Sequence, residues 1–321
     1  MKIYEGLENV APPLPRSTVA IGTFDGVHLG HRAIIRTAVE DAHTYHRPSL
    51  VFTFDRHPLE RLDPSRVPTL LTTPAQRNAL IEEIGAEGLV IARFDETLSE
   101  LTADEFILRI LKETLGAEAI VVGENFYFGK DRSGDVAFLR ENQERFGYHL
   151  YALAPVELSG EKVSSTRIRE ALKLGEVEEA ERLLGHPYWL AGTIVGGQRL
   201  GRTLGYPTAN LSLTVNQTVP KDGIYAVIAK LQDGREVGGA CSIGNRPTVE
   251  GAGRSIETFL FDFNEDLYGQ EFSVRFVRFL RPELKFDSLD ALTQQMQKDC
   301  DKARNILRAF APAPPESETK P

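Results

Sequence analysis

At 321 residues the chain is long enough for two domains, and its 41% apolar and 26% charged residues are those of an ordinary soluble globular protein. Its net charge of −9, from 37 basic and 46 acidic residues, argues against broad electrostatic binding of nucleic acid. Cys241 and Cys300 lack metal-type spacing and exclude a disulfide framework; Met1–Gly6 lacks the apolar core of a leader, and no apolar run reaches membrane-spanning length, so a cytoplasmic enzyme without a membrane partner is expected.

In the first half, apolar runs predict strands at Val19–Ile21, Leu50–Phe54, Leu89–Phe94, Ile120–Val122 and Leu150–Leu153, with helical patterns between them. Ile34, Ile35, Ala38, Val39 and Ala42 recur at helical spacing after the first strand. Thr73-Pro74-Ala75-Gln76 predicts a helix start with proline at the first position and a capping-box glutamine; Thr102-Ala103-Asp104-Glu105 predicts a second box. Val136–Phe146 reads as one further helix, ended by Gly147, and Thr166–Leu174 with Val177–Leu184 as a closing pair. The alternation predicts an α/β doubly wound parallel sheet. His186-Pro187 breaks the pattern, which sets a first domain at residues 1–186.

From Tyr188 the pattern changes to short strands separated by Gly, Pro and Asp turns. Ile224–Leu231 and Glu236–Ile243 flank Gln232-Asp233-Gly234-Arg235, a hairpin signal, while Ile256–Phe263 and Glu271–Phe279 flank the connection Asn264–Gln270. This predicts an antiparallel β-barrel over residues 187–310, followed by a long C-terminal helix carrying the stripe Leu289, Leu292, Met296, Cys300, Ala303 and Leu307. Residues 311–321, rich in Pro, Glu, Ser and Thr, read as a disordered tail. No internal repeat is present.

Three stretches carry the chemistry. The first is Gly22-Thr23-Phe24-Asp25-Gly26-Val27-His28-Leu29-Gly30-His31, on a strand-to-helix turn. In an open α/β sheet, ligands bind beyond the carboxyl ends of the strands, and free N–H groups at a helix start favour an anion. The glycines come four apart, which is no Rossmann fingerprint, and no Gly-Lys-Ser/Thr follows, which excludes a Walker loop. Zinc lacks a third ligand at a recognised spacing. A lone histidine is most often structural; two on this turn point to phosphate contact. The second is Val163-Ser164-Ser165-Thr166-Arg167-Ile168-Arg169, whose hydroxyls read either as a helix N-cap or as a polyphosphate site. The third, Val122–Gly134, holds Gly123, Asn125, Phe126, Tyr127 and Phe128; it reads as turn and core or as a loop that stacks a flat ring.

The turn at Gly22–His31 resembles the HxGH signature of the nucleotidylyltransferases, and Ser164–Arg169 resembles their second phosphate motif. Thr53-Phe54-Asp55-Arg56-His57-Pro58 and the Asn125 loop narrow the resemblance to the FAD synthetase module. Gly201–Leu211, Ile243-Gly244-Asn245-Arg246-Pro247-Thr248, Glu257–Phe263 and Leu280–Phe286 resemble riboflavin kinase motifs. The chain apart from its tail thus resembles the prokaryotic bifunctional riboflavin kinase/FAD synthetase family. Arg56 stands where that family usually has Pro, and Tyr127 where Arg is frequent.

The resemblance implies that the C-terminal half phosphorylates riboflavin with ATP and Mg²⁺, and that the N-terminal half joins FMN and ATP to give FAD and pyrophosphate. It implies that Thr208 and Asn210 coordinate Mg²⁺ and that Glu257 is the general base. Without it, Thr208 and Asn210 read as turn formers and Glu257 as an outward strand residue. Gly192–Arg202 would wrap the phosphates, with Gly197, Arg202 and Gly205 as nucleotide contacts; Arg281 and the C-terminal helix would lie on the flavin side. In the first half His28 and His31 would contact the α-phosphate region, with Gly22, Phe24, Asp25 and Gly30 shaping the nucleotide turn, Asp25 chiefly as a turn former. Ser164, Ser165, Thr166 and Arg169 would hold the β- and γ-phosphates, Asn125 would orient phosphate or flavin, and Phe126 or Phe128 would face the isoalloxazine. Mg²⁺ is implied there too, and the state is a monomer or a transient homo-oligomer with small-molecule partners. Two rivals stand beside this reading. One is a nucleotidylyltransferase with another phosphate acceptor, which the kinase motifs in the same chain disfavour. The other is a non-catalytic flavin-binding regulator, which His28, His31, Thr208, Asn210 and Glu257 disfavour by being present.

Overall fold

The apolar runs of the first half form one parallel sheet. The computed structural model describes residues 1–10, 13–196, 206–246 and 253–310. The sheet strands are β1 (Lys2–Glu5), β2 (Ser17–Ile21), β3 (Ser49–Phe54), β4 (Gly88–Ala92), β5 (Ala117–Gly123) and, beyond the short ladder of β6 (Tyr127–Phe128) and β7 (Gly134–Asp135), β8 (His149–Leu153). They run β1-β4-β3-β2-β5-β8 with every neighbour parallel. All five residues of β2 are buried, as a central strand covered on both faces requires. The strand order reverses between β2 and β5, so the crevice for a ligand opens after Ile21 and after Gly123.

Three local findings differ from the sequence reading. The edge strand β1 escapes a periodicity search because it is four residues long and buries only Tyr4. The helix expected over Val136–Phe146 is two helices, Val136–Glu141 and Gln143–Phe146. Asn142 separates them: at φ −101° and ψ 7° it leaves the helical conformation, and both its backbone N–H and its side-chain amide donate to the Phe138 carbonyl. The second capping box does form at Thr102 and Glu105, but the helix it starts widens into a π-helix over Phe106–Thr114. The box at Thr73 and Gln76 forms as expected, with Gly85 left-handed at the far end.

The chain divides into two units: Met1–Arg167 with Leu183–Gly185, and Ile168–Arg182 with the described residues from His186 onward. After the small hairpin of β9 (Glu157–Leu158) and β10 (Glu161–Lys162), the second unit is built on a closed antiparallel barrel. Its strands are β11 (Trp189–Val195), β12 (Thr208–Leu213), β13 (Gly223–Leu231), β14 (Glu236–Arg246), β15 (Gly253–Leu260) and β16 (Glu271–Arg281), in the order β11-β12-β15-β14-β13-β16. The hairpin expected around Gln232–Arg235 joins β13 to β14. The strand expected over Ile256–Phe263 starts earlier and ends at Leu260, because Asp262 turns left-handed. The helix Leu289–Leu307 lies on the barrel through Cys300, Ala303 and Leu307, which pack with Ala226, Ile228, Phe261, Val277 and Leu280. The stripe is buried only at that end: Leu289 is exposed. Gly197, Arg202 and Gly205, the Gly201–Gly205 part of its motif, Pro247-Thr248 and the tail lie outside the described residues.

Candidate active sites

In the first unit the turn after β2 is built from unusual backbone. Gly26 sits at φ 83°, and Phe24 and Val27 also have positive φ, at 51° and 40°. A β-branched residue in that region is an outlier that the surroundings must hold. The ring of Phe24 is fully buried, edge-on to His31 with centroids 5.3 Å apart, so it supports the turn from below. Gly22 leaves room for that ring, since a Cβ there would lie 3.1 Å from it. The Asp25 carboxylate is spent on structure: Oδ1 accepts the N–H groups of Leu71 at 2.9 Å and Thr72 at 3.1 Å.

His28 is the N-cap of the helix Leu29–Thr44, its Nδ1 accepting the His31 N–H at 3.3 Å. A neutral ring used this way carries its proton on Nε2, a donor suited to an anion. The two imidazoles stack, with centroids 3.6 Å apart and planes 16° from parallel, over Gly30, where a Cβ would crowd the His28 ring. Burial and the neighbouring His28 hold the His31 pKa well below 6.5, so His31 is neutral at physiological pH.

The second motif meets this turn. The Ser165 hydroxyl donates to the Asp25 carbonyl at 3.2 Å, while Ser164 caps the helix Ser165–Leu174 by accepting the Arg167 N–H. Thr166 is exposed, and Arg169 lies half-buried one turn along from Ser165. Arg167 instead donates to the Leu158 and Glu161 carbonyls and fixes the preceding hairpin. The loop after β5 lies on the other side of the switch point. A Cβ on Gly123 would touch Asn125 Oδ1 at 3.3 Å and Ile34, from the helix that begins with the His turn, at 3.6 Å. Asn125 is exposed and Phe126 half-buried. Phe128 lies in the core against Phe106 and Phe138 and backs Phe126, whose ring is stacked 5.5 Å away.

Sequence reasoning missed four residues here. Phe54 and Phe94, half-buried and edge-to-face at 5.3 Å, extend the aromatic surface. Buried Arg77 donates to the Phe54 carbonyl at 2.9 Å; burial lowers its pKa, partly offset by Asp25 and Asp55. Thr72 accepts the Gly26 N–H at 3.0 Å. The available signal was Thr72 directly before Thr73-Pro74-Ala75-Gln76, the stretch read as a helix start.

In the second unit strand register does the assembling. Asn210 on β12 stands opposite Glu257 on β15, and Thr208 opposite Phe259. Residues two apart share a face, so Thr208, Asn210, Glu257 and Phe259 converge. The Thr208 hydroxyl donates to Glu257 Oε2 at 3.1 Å, and Asn210 is buried. Behind them Cys241 pairs across the strands with Thr258; burial pushes its thiol up to about 12, so it stays protonated. Tyr206 packs on Phe259 and donates to Gln297 of the long helix. Arg281 is engaged elsewhere: it grips Asp299 through Nε at 3.0 Å and Nη2 at 2.6 Å, tying the helix to the barrel. Glu283 leans over Gly244, where a Cβ would meet its carboxylate; burial and then Asp222 raise its pKa.

A parallel sheet with an anion-ready turn at its switch point, in one chain with a barrel that gathers neutral oxygen donors around a carboxylate, defines a two-site nucleotide-dependent transferase. Residues 11–167 match the family model for FAD synthetase, and residues 184–307 that for riboflavin kinase. Proteins named bifunctional riboflavin kinase/FMN adenylyltransferase align along nearly the whole chain. That of Pseudomonas fluorescens is 40% identical (97% of this chain, 99% of the relative), and that of Haemophilus influenzae 36% (96% and 100%). The chain belongs to the bifunctional riboflavin kinase/FMN adenylyltransferase family, with the adenylyltransferase half first. A crystal structure described as a macrolide-efflux protein from Streptococcus pneumoniae shares 33% identity at TM-score 0.86, covering 95% of this chain and 99% of that one. Among the described residues no helix is long and apolar enough to cross a membrane.

Proposed function

We propose that this protein makes FAD from riboflavin in two steps at two separate sites, with riboflavin phosphorylated in the barrel and FMN adenylylated at the His turn. The observation that carries the division is that the polar sets fall in different units: His28, His31 and Ser165 in the first, Thr208, Asn210 and Glu257 in the second. We take the functional domains as 1–186 and 187–310, although Ile168–Arg182 groups with the second unit.

In the barrel a neutral ribityl hydroxyl must lose its proton as its oxygen attacks the γ-phosphorus of ATP. Glu257 takes that proton, and ADP leaves. Thr208 and Asn210 hold the phosphate end in place. A hydroxyl, an amide oxygen and a carboxylate, with no sulfur or imidazole among them, are the donors a hard cation prefers. Thr208 and Asn210 would therefore hold Mg²⁺, which when bound neutralises charge on the ATP phosphates.

At the His turn an FMN phosphate oxygen attacks the α-phosphorus of ATP, the bond to the β-phosphate bridge breaks and pyrophosphate departs. The nucleophile is already an anion, so no base is required. His28 and His31 donate to the α-phosphoryl oxygens as neutral imidazoles. Ser164, Ser165, Thr166 and Arg169 receive the departing phosphates at a helix start. Asn125 and Phe126, with Phe54 and Phe94, supply the flavin side. Asp25 Oδ1 is engaged by the Leu71 and Thr72 amides and acts as a turn former.

The test is to follow riboflavin, FMN and FAD by chromatography in Mg·ATP. His28→Ala is expected to lose FAD formation by about 10²–10³-fold while FMN formation persists. Glu257→Ala is expected to lose FMN formation by about 10²–10⁴-fold while added FMN is still converted to FAD. Loss of both activities from either single change in a folded chain would refute the two-site assignment.

A further inference from the structure

We infer that Thr72 is a positioning residue for adenylyl transfer, holding the His turn in its reactive shape without touching substrate. The inference rests on the assignment of His28 and His31 made above.

The turn from Phe24 to His28 is not self-supporting. Three of its residues, Phe24, Gly26 and Val27, have left-handed backbone, and two of the three carry side chains that disfavour it. Val27 immediately precedes His28, so its dihedral angles aim the histidine. One buried hydroxyl reaches the turn from a segment 46 residues away: Thr72 Oγ1 accepts the Gly26 N–H at 3.0 Å and lies 3.4 Å from Asp25 Oδ1. The main chain beside it reinforces it, because the Leu71 and Thr72 N–H groups both donate to the same Asp25 oxygen. The approach is close: a Cβ on Gly26 would lie 2.8 Å from Leu71 Cδ1. The other side of Asp25 is held by the Ser165 hydroxyl. Thr72 is thus the side chain through which the segment capping the helix Pro74–Ile84 sets the backbone that presents His28. Its neighbour Thr73 is consumed by the capping box and does not compete for this role.

Thr72→Val keeps the shape and removes the acceptor of the Gly26 N–H, whereas Thr72→Ser keeps the hydroxyl. In the full-length protein, FAD formation from FMN and Mg·ATP is measured beside riboflavin phosphorylation. A displaced histidine costs the transition state more than the ground state. Thr72→Val is therefore expected to lower kcat for FAD formation about tenfold or more, with both KM values moving less than about threefold. Riboflavin phosphorylation should hold within about twofold, and Thr72→Ser should restore at least about half of kcat. Retained kcat in Thr72→Val, a Ser variant no better than Val, or an equal fall in both activities would overturn the inference. Should Thr72→Val fail to fold, Thr72→Cys replaces it and is read the same way. His28→Ala in the same series separates the premises: activity kept there overturns the site assignment, while activity lost there but kept in Thr72→Val overturns the role of Thr72 alone.

Discussion

Asp41 lies at the far end of the helix whose first turn carries His31, and its removal gives a calculable effect. Its carboxylate accepts Thr18 Oγ1 at 2.5 Å, Arg47 Nη2 at 2.5 Å and the Tyr151 hydroxyl at 2.7 Å. Arg47 also donates to Thr18 Oγ1 at 2.8 Å and to Glu118 Oε2 at 3.1 Å, so one network ties the helix to β2, β5 and β8. The Asp41 and Arg47 side chains are only 4% and 9% exposed. Burial by itself would raise the Asp41 carboxyl, but the bonds from Thr18, Arg47 and Tyr151 outweigh it and its pKa falls below 3.8. Asp41→Ala strands a buried guanidinium and two hydroxyls, a change that costs about 3–5 kcal/mol in buried pairs. Glu118 keeps part of the Arg47 pairing, which places the cost near about 3 kcal/mol. For a unit of this size that is a fall in Tm of about 6–12 °C. Circular dichroism follows the melt, and the single tryptophan, Trp189, reports the second unit by fluorescence. Because the folded pKa is depressed, the stability Asp41 supplies is present above pH 3.8 and lost as pH falls through the folded value, so the Ala variant should also be less acid-sensitive there. A Tm shift below about 2 °C at neutral pH would refute the reasoning.

Two further outcomes follow from the same logic. His31 is held neutral when folded, so as pH falls below 6.5 the unfolded chain takes up a proton that folded His31 refuses. The unfolding free energy from urea melts should therefore drop between about pH 6.5 and 5.5, by at most about 1.4 kcal/mol per pH unit, and His31→Gln should flatten that limb. Asp299→Ala leaves Arg281 without its bidentate partner under the long helix. Hydrogen exchange should quicken along Leu289–Leu307, and unchanged protection would show that apolar packing alone seats the helix.

What the sequence reveals here is what is local. The Thr73 and Thr102 boxes are four-residue events, and both formed. The convergence of Thr208 and Asn210 follows from strand alternation, and Glu257 joined them through register. The barrel order was not legible: β15 lies between β12 and β14, a choice made by long-range pairing that no turn signal encodes. Aromatics were ambiguous for a simple reason. Phe126 and Phe128 are the same residue two positions apart, yet Phe126 lies in the turn before β6 and is half-buried, whereas Phe128, within the two-residue strand, is buried in the core. Thr72 was invisible because its partner, Gly26, is 46 residues away and is reached through a backbone N–H.

Under the proposed assignment, Asp25 and Glu257 differ as their sites' nucleophiles require. In the first unit Asp25 Oδ1 accepts the main-chain amides of Leu71 and Thr72, which makes it a strut of the turn. An FMN phosphate needs no base, since its oxygen arrives ionised and the charge on the transferred and departing phosphates is what must be met. In the second unit Glu257 Oε2 accepts the rotatable hydroxyl of Thr208 at 3.1 Å. A neutral alcohol requires a proton acceptor, and a carboxylate bonded to a hydroxyl can exchange that partner for substrate without breaking the sheet. Under the proposed assignment the difference between the sites therefore follows from the nucleophile: an ionised phosphate at the His turn needs no proton acceptor, and a neutral hydroxyl in the barrel needs Glu257.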